Sequence, residues 1–427
     1  MRSSERPGFE FMGPGLRRDD YFCPGLRQVK SHLATDPSDG VAVETGNGGV
    51  RAERAARVSE RRAYINALAG AVPDHDVHRL FIDWAEGQVA DERMRRLFLR
   101  MAERSGIEHR WSVLPPGIDG GSPIEAGGFY HGEAPPTSRR MQTYAEEAPK
   151  LALAAIAKLR EQVELDGVTH LVVASCTGFV APGIDQIIAR KLGLEGVERT
   201  LVGFMGCYAA VSALRTAYHI VRSEPEARVL AVTVELCSLH LQQTQELESL
   251  LAQLQFSDGA AAALVTSEPE GLEMSHLFSM QLEDSAELIQ WQIGDTGFEM
   301  TLSGEVPGRI QNALANEEVR ATLYNGWGPG QISSWAIHAG GRSILDAAER
   351  GLELPQGALW ASRDVLARFG NMSSSTLMFV LSELIGRPDT GKGVAIAFGP
   401  GLAAEGFHFE RVEREKPAPA QAGERAG

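Results

Sequence analysis

Two apolar patterns alternate along the chain between residues 63 and 398. Short unbroken runs, AYINALAGAV at 63–72, THLVVAS at 169–175, ARVLAVTVEL at 227–236 and AAAALVT at 260–266, read as buried strands. Runs with apolar positions three or four residues apart, LALAAIAKLREQVEL at 151–165 and IDQIIARKLGL at 184–194, read as helices. From Leu272 a second series follows. It holds the strands SSWAIH at 333–338 and GVAIAF at 393–398 and the helices RSILDAAERGL at 342–352 and SSSTLMFVLSELI at 373–385. Strand alternating with helix predicts an α/β protein built on a sheet. No sequence repeat is visible between the two series.

The ends break the pattern. Residues 1–57 are rich in Gly, Arg, Ser, Asp and Pro and sustain no apolar period, so a disordered N-terminal extension is expected. Residues 411–427, ending EKPAPAQAGERAG, are expected to form a flexible tail.

Composition narrows the classes. A chain of 427 residues, 43% hydrophobic, can bury one large core or two fused half-domains. A net charge of -15 argues against a general nucleic-acid binder, because phosphate binding depends on an excess of Lys and Arg. Four cysteines, Cys23, Cys176, Cys207 and Cys237, are too few and too scattered for a disulfide framework, and no zinc spacing occurs. A reducing cytoplasm and no metal are expected. No apolar stretch reaches the ~18 residues of a membrane span, and the N-terminus lacks the apolar core of a signal peptide.

The candidate chemistry starts at Cys207, in LVGFMGCYAAVSALRTAYHIV. The apolar run breaks at Gly203, Gly206 and Cys207 and resumes with helical spacing, which puts the sulfur at a helix start. Unpaired N–H groups and the positive dipole end there favour a thiolate. A lone cysteine in an apolar segment is more often core filler. Two companions change its weight: His338, closing the run SSWAIH, and Asn371, in RFGNMSSST just before a helical run. Each alone would be ordinary, a hydrogen-bonded core histidine and a turn residue at a helix start. Together they form an acyl-transfer constellation.

At these residues the chain resembles the type III polyketide synthases, the chalcone and stilbene synthase family of the thiolase superfamily, and specifically their bacterial type. The Gly-Cys loop, the strand end IHAGG, the turn GNMSS and the late FGPG at Phe398–Gly401 follow in the family's order, and His338 and Asn371 stand 33 residues apart, as in relatives. The resemblance covers about residues 63–409. It implies a five-layered αβαβα thiolase-like fold of two related halves, 58–268 with the nucleophile and 269–410 with the histidine and asparagine. It also implies a cytoplasmic homodimer that needs no cofactor beyond its CoA thioester substrates.

In the implied reaction an acyl-CoA starter loads on Cys207. His338 pairs with the thiolate, and His338 with Asn371 holds the enolate oxygen formed when malonyl-CoA loses carbon dioxide. Repeated condensation and cyclisation would give a resorcinol, phloroglucinol or pyrone. A carrier-protein-dependent ketoacyl synthase making one condensation, or a non-catalytic thiolase-fold subunit, are the alternatives. HAGG and GNMSS speak against the first, and the presence of all three residues against the second.

The resemblance also implies walls. Phe256 and Phe298 fall on two phenylalanines between the CoA tunnel and the cavity. Cys176, Cys237, His240, Ser373 and, less securely aligned, Ile289 and Trp291 fall on wall positions. Ala181, before Pro182, replaces a methionine that reaches across the dimer in plant relatives. For CoA, Arg96, Arg100 and Arg104 share one face of the helical run DERMRRLFLRMAERSG, and Gly340 and Gly341 would admit the pantetheine arm.

Overall fold

A computed structural model describes residues 61–413, apart from Glu283. The extension expected at 1–57, Cys23 and all but the first three residues of the expected tail lie outside the described residues. Thirteen strands are described: β1 Ala63–Ala71, β2 His75–Asp76, β3 Trp111–Ser112, β4 His170–Ser175, β5 Glu198–Gly203, β6 Val229–Leu236, β7 Asp258–Thr266, β8 Gly271–Gln281, β9 Ile289–Gly294, β10 Gly297–Leu302, β11 Ser334–Ile337, β12 Lys392–Gly399 and β13 Ala403–Val412. The last of these runs two residues past the expected boundary at 410.

Nine strands form one mixed sheet in the order β11-β12-β13-β8-β1-β7-β6-β4-β5. Because successive side chains on a strand point to opposite faces, each strand divides its residues between two cores. Val172 and Ala174 of β4, Ala231 of β6, Ala263 of β7 and Ala395, Ala397, Phe407 and Phe409 of β12 and β13 join one cluster. That cluster holds two helices, Ala209–Ser223 and Ser374–Ile385, through Leu214, Ala217, Leu377 and Leu381. The intervening residues face outward. Leu171, Val173, Leu230 and Val232 pack with the Thr137–Arg160 helix, and Val394 and Ile396 pack with the Val306–Ala315 and Arg342–Gly351 helices. The result is helix, sheet, helix, sheet, helix, the five layers expected.

The two halves repeat in topology. β1 is antiparallel to β7, β7 antiparallel to β6, and β6 parallel to β4. In the same way β8 is antiparallel to β13, β13 antiparallel to β12, and β12 parallel to β11. The helices Ala209–Ser223 and Ser374–Ile385 each precede the corresponding strand, β6 and β12, so they are equivalents. The β1–β8 pairing joins the halves.

One helix differs from its expected bounds by more than two residues. Instead of 151–165 it spans Thr137–Arg160, because Arg140, Tyr144 and Ala148 continue the buried stripe at four-residue spacing through a polar string.

Candidate active site

Cys207 lies in a 3-10 turn, Gly206–Tyr208, between β5 and the Ala209–Ser223 helix. The turn needs Gly206: its φ is 76°, and a Cβ there would come within 2.4 Å of Pro400 Cδ. At Gly399 a Cβ would lie 2.6 Å from the Tyr208 ring and 3.4 Å from the Cys207 nitrogen. The FGPG string is therefore the floor of the Cys207 turn.

The equivalent helix of the second half starts against it. Ser373 Oγ donates to Cys207 Sγ at 3.6 Å. Ser373 N–H donates to Asn371 Oδ1 at 2.9 Å, and Asn371 Nδ2 donates to Gly340 O at 3.1 Å. Gly340 N–H in turn donates to His338 O at 2.8 Å, just beyond β11. Cysteine, asparagine and histidine thus belong to one hydrogen-bonded chain drawn from three segments. Ser373 keeps its place at φ 48° and ψ -128°, a region that costs a non-glycine residue about 1–3 kcal/mol and that persists where surroundings over-determine it.

Burial sets the protonation states. It pushes the Cys207 thiol up to about 12 against the opposing Ser373 hydrogen bond, and holds the His338 imidazole down at about 4. Desolvation thus opposes the thiolate that a helix start favours, and opposes the imidazolium in the same way. Neither ring nitrogen of His338 has a hydrogen-bond partner among the described residues, although both are buried. A neutral imidazole has one donor and one acceptor, so His338 holds both in reserve. Asn371 likewise spends one amide hydrogen on Gly340 and keeps the other.

Cys207 and Ser373 line a cavity with Cys176, Cys237, His240, Phe256 and Phe298, and with Ile289 and Trp291. His338 and Asn371 are not in its wall. They are tied to a segment that separates it from a second cavity: Asn371 N–H donates to Gln255 O at 2.8 Å, Gln255 faces the second cavity, and Phe256 faces the first. Ala181, exposed and joined to Pro182 by a cis peptide bond, lines neither cavity of its own chain.

The basic face divides. Arg104, the residue closing the Glu92–Glu103 helix, lines the second cavity with Arg342, whereas Arg96 pairs with Glu92 and neither Arg96 nor Arg100 reaches that wall. Gly341 is glycine for an internal reason, since a Cβ would sit 1.9 Å from Gln255 Oε1. Gly340 has a Cβ position 3.5 Å from the His338 ring.

His240 is fixed as one tautomer. Its Nε2 lies 2.7 Å from Thr177 O and its Nδ1 accepts from Phe298 N–H at 3.0 Å, so the proton is on Nε2. The ring stacks on Phe298 at 4.2 Å, and Trp291, whose Nε1 donates to Cys176 O, meets both edge-on. Burial holds His240 down at about 3, below its ordinary 6.5. Its contribution to stability is whole above 6.5 and is lost as pH falls towards 3. At pH 5 the loss is about 2 kcal/mol. Denaturant unfolding at pH 7 and pH 5 should therefore show a drop in the parent protein that is smaller by that amount in His240→Gln.

Sequence reasoning passed over Glu235. Its fully buried carboxylate accepts from Cys176 N–H at 3.0 Å, Cys176 Sγ at 3.4 Å, Thr177 Oγ1 at 2.9 Å and the Ser374 hydroxyl, and burial pushes it up to about 7. Cys176 Sγ lies 3.1 Å from Ser373 Oγ, which ties this carboxylate to the Ser373–Cys207 contact. The signal was legible as a glutamate closing an otherwise apolar strand, ARVLAVTVEL. Burial also pushes the Cys176 and Cys237 thiols well above the ordinary range.

Residues 50–269 match the family profile for the N-terminal domain of chalcone and stilbene synthases, and residues 276–413 match that for the C-terminal domain. The chain belongs to the chalcone and stilbene synthase family. It is a bacterial-type type III polyketide synthase, an acyltransferase. It is similar to an alpha-pyrone synthesis polyketide synthase-like protein, Pks18, of Mycobacterium tuberculosis, 35% identical over 291 residues, 64% of this chain and 74% of that protein. It is also similar to the 1,3,6,8-tetrahydroxynaphthalene synthase of Streptomyces peucetius subsp. caesius, 33% identical over 275 residues, 61% of this chain and 71% of that one. Among solved structures, PKS-I from the brown alga Ectocarpus siliculosus superposes with a TM-score of 0.75 at 27% identity, covering 82% of this chain and 99% of the other. In this type III polyketide synthase no helix among the described residues is long and apolar enough to cross a membrane.

Proposed function

We propose that this polyketide synthase loads an acyl-CoA starter on Cys207, extends it with malonyl-CoA and cyclises the product to a resorcinol, phloroglucinol or pyrone. The observation that carries the reading is the chain from Cys207 through Ser373 and Asn371 to the segment of His338, whose ring nitrogens are buried and unpartnered. In loading, Cys207 Sγ bonds to the thioester carbon, the bond to the CoA sulfur breaks, and the thiol proton passes through His338 to the departing thiolate. In extension, malonyl-CoA loses carbon dioxide, Asn371 and His338 hold the enolate oxygen, and the carbanion bonds to the thioester carbon as its bond to Cys207 Sγ breaks, which leaves the extended chain on CoA and frees Cys207 to be loaded again. CoA contacts are assigned to Arg104, which lines the second cavity; Arg96, Arg100, Gly340 and Gly341 are kept as the further expected contacts, and the chemistry needs no further cofactor.

Purified protein incubated with malonyl-CoA and a panel of aliphatic and aromatic acyl-CoA esters should form polyketides detectable by mass spectrometry. Malonyl-CoA consumption without any polyketide would overturn the reading.

A cytoplasmic homodimer completes the proposal. β5 is an exposed edge strand, and Phe179, Leu201 and Ile293 are 44%, 46% and 59% exposed on neighbouring segments, an apolar surface that a second copy would cover. Ala181, exposed beside Phe179, is then a wall of the partner's cavity. Light scattering at micromolar concentration should report a dimer. Ala181→Met should shift products towards shorter starters or fewer extensions while Cys207 still acylates; an unchanged product spectrum would remove Ala181 from the wall.

A further inference from the structure

Arg110 is a charged group that the catalytic reading leaves unused. It precedes β3, is 3% exposed, and lies 4.5 Å over the Phe81 ring. Its Nε donates to His78 Nδ1 at 3.0 Å, and Nη1 donates to the carbonyl oxygens of Gln253 and Phe256 at 3.0 and 2.9 Å. Nη2 has no partner among the described residues, though it too is buried.

All of these acceptors are neutral, since burial holds His78 down at about 4. The neighbouring carboxylates are committed elsewhere. Asp258 accepts from Val113 N–H, Ser238 N–H and Ser238 Oγ, and Asp76 accepts from the N–H groups of His78 and Arg110 and bonds His109 Nδ1. Burial lowers Arg110 to about 9, which leaves it a cation at neutral pH. Buried charges are ordinarily paired. Asp76 and Asp258 favour this cation through space, but among the described residues no carboxylate accepts a hydrogen bond from its guanidinium. It does line the Cys207 cavity, beside Val77, Phe81 and Phe256.

We propose that Arg110 is a carboxylate-recognising subsite of the Cys207 cavity, so that the acyl chain accepted there ends in a carboxylate. The proposal rests on the functional reading above and narrows its starter to ω-carboxyacyl thioesters. One charge-assisted hydrogen bond from Nη2 would hold the far end of the chain while Cys207 holds the near end. The other guanidinium nitrogens fix the fork in place, which a lysine ammonium could not reproduce.

The test compares ω-carboxyacyl-CoA esters, from succinyl to suberyl, with their ω-amide counterparts, reading acylation of Cys207 by intact-protein mass spectrometry and kcat/KM by CoA release. At the length that spans the cavity the carboxylate is expected to be preferred by about tenfold or more. In Arg110→Gln that ratio should fall to near one, with Arg110→Lys between; a purely structural loss would lower both esters alike and leave the ratio standing. Cys207→Ala crystallised with the preferred ester gives a measurement independent of how the Arg110 variants fold, and should place the carboxylate on Nη2. No preference at any length, a preference that survives Arg110→Gln, or a carboxylate bound elsewhere overturns the subsite while leaving polyketide synthesis intact. If neither series acylates Cys207 while unsubstituted aliphatic or aromatic acyl-CoA esters do, the subsite falls alone; if no acyl-CoA ester acylates it, the functional reading falls with the subsite.

Discussion

Cys207→Ala is expected to abolish covalent acylation and product formation, whereas Cys176→Ser should acylate normally and at most change the product pattern. The contrast is sharp because the two sulfurs share a partner, Ser373 Oγ, at 3.6 and 3.1 Å. A serine at 176 keeps a hydroxyl for both Ser373 and Glu235, so the surroundings of Cys207 survive the change. Replacing Cys207 removes the atom that carries the chain. Intact-protein and peptide mass spectra after incubation with acyl-CoA decide it, and an acyl group trapped on Cys176 would reverse the assignment.

Asn371→Asp should lower malonyl-CoA decarboxylation by about 10² to 10³ while leaving the loading of Cys207 in place, the usual consequence of losing one donor to a developing oxyanion. Aspartate still accepts from Ser373 N–H, so the helix start that positions Ser373 is retained, but it offers no hydrogen to an enolate. Carbon dioxide release from malonyl-CoA and acylation of Cys207 are measured side by side. Equal loss of both would show that Asn371 holds the fold of the site and not the enolate.

How far the sequence exposed this depends on which residues face apolar layers on both sides. β4, β6 and β7 are buried throughout and β12 at all but its first residue, so each holds an apolar run that can be read directly. β8, β9 and β10 are half-exposed, and their mixed strings carry no such run. The helices His78–Gln88 and Trp360–Phe369 were missed for a similar reason, with only four buried positions each among polar neighbours. The related halves left no repeat in the sequence because stacking layers demands apolar alternation, which many sequences satisfy. At the site, the positions of Cys207, His338 and Asn371 showed in the glycine breaks and run ends around them. Arg110 did not, and Glu235 showed only as a polar break in an apolar run, since their meaning depends on what they meet across the fold. The same holds for the three arginines: shared spacing put them on one face, and only the fold, which brings Arg104 to the second cavity and leaves Arg96 paired with Glu92, sets them apart.

The nucleophile and Ser373 open equivalent helices of the two halves, and both helices lie in the layer that the halves share. The sulfur-to-hydroxyl separation therefore works as a vernier on how one half has slid along the other. A methyl group trimmed from Leu214 or Leu381 would be felt as a misaligned thiol while most of the fold still stood.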